Sequence, residues 1–423
     1  MTGRRFEWVG RDVGIIILAR GLRAAGMGIL IVLVAPYLDL IGFSTPEIGL
    51  VFTLSLIGGM ALSLPATFVG DLIGRRRLFV ILSLITSVAG LALAFTDQYV
   101  LLAAGSFFGA YAATGMNVGP LLQLEQTSLA EVSPDRHRTS AFAYLGIFSS
   151  SARGLGNLAG ALPPLIVIVL GAGEVDSFKL VFGLYAALNL IATVTYLFLT
   201  PAVEAKWTGE RHAVNPLRTK STRRIVGLSL LFGVDSAAGG MIADTFISLW
   251  LVKKFDMGVE VIAGVFVAAQ VLNSVSLWVA TWLAARWGLL NTMVWTQVIA
   301  NGFAIAFAFS PWAWLAVTLW LFRAFWNEMD VPTRQSYSMA VVSSEERMAM
   351  AGAANAGRSG MRIPSPAITG ALWASSMNAS PFVIAGVVKL GYNIALWRMF
   401  RGVVPPEEAP DVSGPDVSGL HRD

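Results

Sequence analysis

Long apolar stretches recur along the chain, separated by short polar or basic breaks. About 20 mostly apolar residues cross a bilayer as a helix. Twelve stretches of that kind fall at 13–37, 47–70, 76–96, 99–128, 139–170, 178–200, 225–251, 259–284, 290–309, 312–340, 349–374 and 381–400. They are too long and too weakly alternating for barrel strands. In lipid a helix also satisfies its own backbone donors and acceptors. The pattern predicts an all-α membrane protein of twelve transmembrane helices, with the lipid bilayer as its surroundings.

The polar breaks organise these helices. Residues 201–224 form the one long polar connection, running from Pro201 through Lys206, Arg211 and Lys220 to Arg224. It is expected to link a six-helix bundle over 1–200 to a second over 225–402. The tail, 403–423, is acidic and repeats Pro-Asp-Val-Ser-Gly at Pro410 and Pro415; such a composition cannot bury a core and is expected to be disordered. Basic residues crowd the breaks on one side, whereas Lys179, Lys253 and Lys254 fall on the other. The positive-inside rule then places both termini in the cytoplasm of a multi-pass cell-membrane protein. The first apolar stretch is too long for the core of a cleavable leader, so none is expected.

The two halves resemble each other in register. Ala130-Glu-Val-Ser-Pro-Asp135 recurs as Ala340-Val-Val-Ser-Ser-Glu345, and Gly160-Ala-Leu162 as Gly370-Ala-Leu372. Arg23-Ala-Ala-Gly26 aligns with Ser236-Ala-Ala-Gly239. Together these matches argue for a duplicated bundle.

Composition narrows the chemistry. Of 423 residues, 55% are hydrophobic and only 13% charged, against roughly 25% charged in soluble domains. There is no cysteine, and the three histidines, His137, His212 and His421, all lie in polar connections. No metal site, cofactor or catalytic cluster is expected, so the chain does not read as an enzyme. A phosphate-binding Gly-x-x-x-x-Gly-Lys-Ser/Thr run is absent, which argues against ATP hydrolysis. The net charge of +4 is explained by its placement in the loops, without a nucleic-acid partner.

After the second apolar stretch the chain reads Gly70-Asp71-Leu72-Ile73-Gly74-Arg75-Arg76-Arg77. This run resembles the loop 2–3 signature of the major facilitator superfamily, and with the duplicated plan the likeness covers nearly the whole chain. It implies two pseudo-symmetric six-helix bundles and a secondary transporter of small solutes working by alternating access. It assigns cytoplasmic gate roles to Asp71 and Arg75; Arg76 and Arg77 read as topogenic anchors. The sequence departs from the family pattern at Thr67, where glycine is usual, and at Ala285-Arg286-Trp287-Gly288, where the second-half acid is gone. It also lacks the arginine of the fourth helix and the Gly-Pro pair of the fifth found in drug/proton antiporters. The run Val331-Pro-Thr-Arg-Gln-Ser-Tyr337 resembles one in a poorly characterised prokaryotic branch of that family.

Charges inside a bilayer are costly and face a cavity or a partner. Here they are Arg20, Arg23, Arg153, Arg323, Arg334, Arg358 and Arg362 against Glu125, Asp235, Asp244, Glu328 and Asp330, with Lys389 in the last helix. Arg323, Asn327, Asp330 and Arg334 share one helical face. The resemblance implies that helices one, four, seven and ten line the cavity and that two, five, eight and eleven flank it, where nearly all these charges fall. Two readings stay open. In one, Arg23, Arg153, Arg358 and Arg362, with Asn327 and Trp326, bind a small organic anion or acidic metabolite, since guanidinium matches carboxylate or phosphate in bidentate geometry. In the other the arginines pair with Asp235, Asp330 and Glu328 and hold the halves together. Asp235 and Asp330 are the expected proton-coupling carboxylates, and Glu125 and Arg334 join the gate. Lys389 reads as a locally bonded residue facing the bundle. A proton-coupled exporter of amphipathic drugs or cations is the competing function. A monomer is expected.

Overall fold

In the computed structural model the described residues are 10–108, 120–134, 138–204, 221–340, 342, 346–376 and 378–401. Most of the 201–224 linker and all of the 403–423 tail lie outside them, as does the side chain of Asp71. The N-terminal half contains α1 (Arg11–Leu40), α2 (Thr45–Ile73), α3 (Arg75–Phe95), α4 (Tyr99–Phe107), α5 (Pro120–Val132), α6 (Arg138–Ala159), α7 (Leu162–Leu170) and α8 (Glu174–Leu197). The C-terminal half contains α9 (Thr222–Met241), α10 (Asp244–Phe255), α11 (Val259–Trp287), α12 (Leu289–Ala308), α13 (Ala313–Asn327), α14 (Asp330–Ala340), α15 (Arg347–Arg362), α16 (Ser365–Leu372) and α17 (Ser380–Phe400). Among the described residues, 9 helical stretches are long and apolar enough to cross a membrane. The fifth, seventh, tenth and eleventh apolar segments are each present as a pair of shorter helices, and α4 and α5 are the described parts of the fourth.

The breaks have local causes. Pro332 has no amide hydrogen to offer residue 328, and the chain instead makes the tighter Val331 N–H to Glu328 C=O bond, 3.2 Å, as α13 gives way to α14. Pro364 stands between α15 and α16, and Pro163 opens α7. Between α9 and α10 the segment crosses Gly239-Gly240 and restarts at Asp244, a carboxylate in the first turn of its helix, where it suits the helix dipole.

The duplication visible in the sequence is also a packing relationship. A Cβ on Gly26 would lie 2.8 Å from the Tyr185 ring, and one on Gly239 would lie 3.5 Å from Cε of Lys389. Asn189 donates to the Tyr185 carbonyl at 2.9 Å, and Asn393 to the Lys389 carbonyl at 2.8 Å. The sixth and last segments therefore meet the first helix of their own half through the same arrangement. With lipid outside, close approach of small residues and hydrogen bonds take over much of the role of hydrophobic burial.

The halves join on the face opposite the start of α1 and the end of α17. There Ile29–Leu38 of α1 and Phe246–Leu251 of α10 belong to one apolar cluster shared by both halves. Ser248 Oγ donates to the Val32 carbonyl at 2.6 Å, Thr45 Oγ1 to the Gly370 carbonyl at 3.1 Å, and Lys253 pairs with Asp39 at 2.7 Å. Toward the terminal face the apolar clusters are separate, one built on Val13, Phe79 and Tyr196 and the other on Ile225, Met293 and Tyr392. The molecule is sealed on the far face, while each half keeps its own core on the terminal face.

Candidate functional site

Each half holds a buried ion network of its own. In the N-terminal half the Glu125 carboxylate is fully buried and accepts from Arg20 at 3.3 Å, from Tyr196 Oη at 2.6 Å and from Arg23. In the C-terminal half Asp235 accepts from Lys389 at 2.8 Å and lies 3.8 Å from Arg334, which also pairs with Asp330. Arg358 adds its field to Arg334, Asp235 and Asp330. The Asp235 and Asp330 pairs therefore close within one half and do not bridge to Arg20 or Arg23. Fully buried charges without such partners would be severely destabilising.

Between the halves, at mid-depth, lies a cavity of about 240 Å³ lined by residues of α1, α6, α10, α11 and α13. Four charged groups reach it: Arg153, Asp244, Arg323 and Glu328. Two of them sit at helix breaks, Asp244 where α10 begins and Glu328 just past α13. Arg323 is 8% exposed, and its guanidinium stacks 4.4 Å from the Trp320 ring centre. No hydrogen bond joins Arg323 to another described side chain, and its Nε is buried without a partner. Arg153 Nη2 donates to Gln270 Oε1 at 2.7 Å, a bond from one half to the other. Asp244 lies in the fields of Arg323, Arg153 and Arg362 and accepts no hydrogen bond from a described residue. Asn327 lines the cavity and donates to Glu328 at 3.1 Å, while Gln297 donates to its carbonyl at 2.6 Å.

The residues expected to bind substrate thus divide. Arg153 and Asn327 line the cavity, and Arg362 acts on it through Asp244. Arg23 is turned into the Glu125 network, Arg358 lies in the fields of Arg334, Asp235 and Asp330, and Trp326 packs edge-on against Phe325 with ring centres 5.5 Å apart. The four-residue stripe of the tenth segment is split by the Glu328–Met329 break, so Arg323 and Asn327 serve the cavity while Asp330 and Arg334 serve the buried network. Of the gate residues, Arg75 pairs with Glu131 at 2.5 Å, and its amide is capped by Glu204 at 2.6 Å. Glu125 and Arg334 likewise find their partners inside their own halves. Asn157, Gln270 and Asn273 also line the cavity and were not singled out by the sequence. Their signal was there: Gln270 and Asn273 are polar residues three apart in an otherwise apolar segment.

Residues 16–366 match the Major Facilitator Superfamily profile. The chain belongs to that superfamily. It is a multi-pass membrane protein of a transporter family, with the family's all-α, two-bundle fold. An uncharacterized membrane protein of Saccharomyces cerevisiae is 24% identical over 94% of this chain and 96% of its own. Among solved structures, the nucleoside transporter NupG superposes with a TM-score of 0.71 at 15% identity, covering 93% of this chain and 99% of that one. A bacterial homolog to the human lysosomal transporter Spinster, inward-facing and unoccupied, gives 0.71 at 14% identity over 94% and 98%. A D-xylose-proton symporter gives 0.70 at 13% identity over 93% and 98%. Likeness at these identities carries the fold of this major facilitator protein and leaves its solute to the site.

Proposed function

We propose that this major facilitator protein carries a small organic anion or acidic metabolite across the cell membrane by alternating access, as a monomer with both termini in the cytoplasm. The bundles 1–200 and 225–402 rock about the central cavity, and the 201–224 linker joins them. The observation that carries the reading is Arg323, a buried guanidinium held against Trp320 in the central cavity with no hydrogen bond to a described side chain. Asp244 and Glu328 lend it their fields but take no hydrogen bond from it, so its planar fork is left to a bound carboxylate or phosphate. Arg153 supplies a second donor from the other half, so a bound anion would touch both bundles. Arg362 shapes the field from behind Asp244, whereas Arg23 and Arg358 serve the bundle networks.

A proton can accompany the anion. Asp235 and Asp330 would have to leave Lys389 and Arg334 to take one. Asp244 borders the same cavity without a hydrogen bond, and in this reading it is the carboxylate that exchanges the proton. Export of amphipathic cations would have to rest on Glu328, since Asp235 and Asp330 are already paired with cations. The cavity is also smaller than the roughly 300 Å³ at which drug-sized pockets begin.

The test is thermal stability of the purified protein against small carboxylates, phosphate monoesters and lipophilic cations. A ligand that binds only the folded state raises the melting temperature as its concentration exceeds its dissociation constant. Stabilisation by an anion that vanishes in a still-folded Arg323→Gln protein supports the reading. Stabilisation by lipophilic cations alone overturns it.

A further inference from the structure

The central cavity is lined by more than its charges. Asn157, on α6, is 4% exposed, and its Oδ1 has no hydrogen-bond partner among the described residues. Asn273, on α11, faces the same cavity from the other half, and its Oδ1 is also buried without a partner. Buried polar atoms are nearly always bonded, and these two, with Arg323 Nε, border an open space that a ligand can enter. Asn157 lies one helical turn beyond Arg153, and Asn273 lies three residues beyond Gln270, to which Arg153 is bonded. The two amides and the two arginines therefore line the same small space.

We infer that the transported anion is a hydroxylated carboxylate of the sugar-acid class, its carboxylate held by Arg323 and Arg153 and its hydroxyls by Asn157 and Asn273. This rests on the anion reading above and adds the rest of the solute. A hydroxyl both donates and accepts, as a carboxamide does, so it matches either amide whichever way the amide is turned. An ammonium group would meet the same lining less well. Asp244 already lies among Arg323, Arg153 and Arg362, and Glu328 already accepts from Asn327. A plain alkyl acid would satisfy the arginines and bury the two amides against hydrocarbon, leaving them unpaired.

The test compares three probes on the purified full chain: D-gluconate, hexanoate as its unsubstituted six-carbon counterpart, and D-glucose as the uncharged polyol. D-gluconate should raise the melting temperature at a concentration about tenfold or more below that needed for either of the others, given the cost of leaving a buried amide unpaired. In Asn273→Leu that advantage over hexanoate should fall to about twofold or less, since gluconate loses the amide that bonds its hydroxyl and hexanoate no longer buries that amide unpaired. Asn273 is partly exposed, so this variant carries the test even if Asn157→Leu does not fold. Equal responses to gluconate and hexanoate in the unaltered protein overturn the inference and leave the anion reading standing. An unchanged gluconate preference in Asn273→Leu also overturns it. No response to gluconate or hexanoate overturns the inference, and no response to phosphate monoesters as well brings down both readings.

Discussion

Lys389 in the last helix donates a 2.8 Å hydrogen bond to Asp235 in the first helix of the same half. Both side chains are buried, at 6% and 7% exposure. With Arg334 and Asp330 they form a directly paired set of two cations and two anions, with the charge of Arg358 nearby. The network ties α9, α14 and α17 together.

Replacing Lys389 by Met leaves that set with one uncompensated buried anion. The loss should be about 3 kcal/mol, at the lower end for a broken buried pair. Thermal melts of Lys389→Met, Asp235→Asn and the double variant will show it. The double variant should be more stable than Lys389→Met, because its charge is balanced again. Additive losses would mean that the two residues act independently.

In the N-terminal half Glu125 has three donors, and the variants should be graded accordingly. Glu125→Gln strands Arg20 and Arg23 and should lower stability by about 3 kcal/mol or prevent folding. Tyr196→Phe removes one hydrogen bond and should cost about 1 kcal/mol. Melting temperatures rank them, and equal losses would argue that the arginines draw little from Glu125.

The far-face contact of Lys253 with Asp39 joins the two halves directly. It is partly solvated, with side-chain exposures of 39% and 22%, so it is worth under about 1 kcal/mol. Lys253→Gln should therefore raise the population open to the far face by about fivefold at most. The chain has no cysteine, so a single Ser248→Cys probe reports this directly. Its labelling rate should rise in Lys253→Gln and in Asp39→Asn by the same factor.

The turn after α2 depends on Gly74, whose φ is +91°. A Cβ there would lie 2.9 Å from the Glu204 carboxylate that accepts from the amides of Arg75 and Arg76. That carboxylate caps the start of α3 from beyond the end of α8, so Glu204→Ala should cost about 1 kcal/mol. Gly74→Ala should cost more than Glu204→Ala, since it adds backbone strain to the same displacement. Melting of the two variants side by side decides the order.

The sequence by itself determined the all-α membrane fold, the duplication and the segments on which charge could be tolerated. Each of these follows from a local rule: the run length needed to cross lipid, the fixed offset between repeats, and the cost of ions in hydrocarbon. It also marked Arg153 and Asn327, which line the cavity. Only the tertiary structure decided which charge meets which. Arg23 and Arg153 read alike along the chain, but one is turned into Glu125 and the other into the cavity. The helix break at Glu328 split a stripe that a regular helix would have kept on one face. The pairing of Lys389 with Asp235 joins residues 154 positions apart. Helical periodicity orders side chains around one axis; which axes are neighbours is set by close packing at Gly26, Gly239 and the far-face seal.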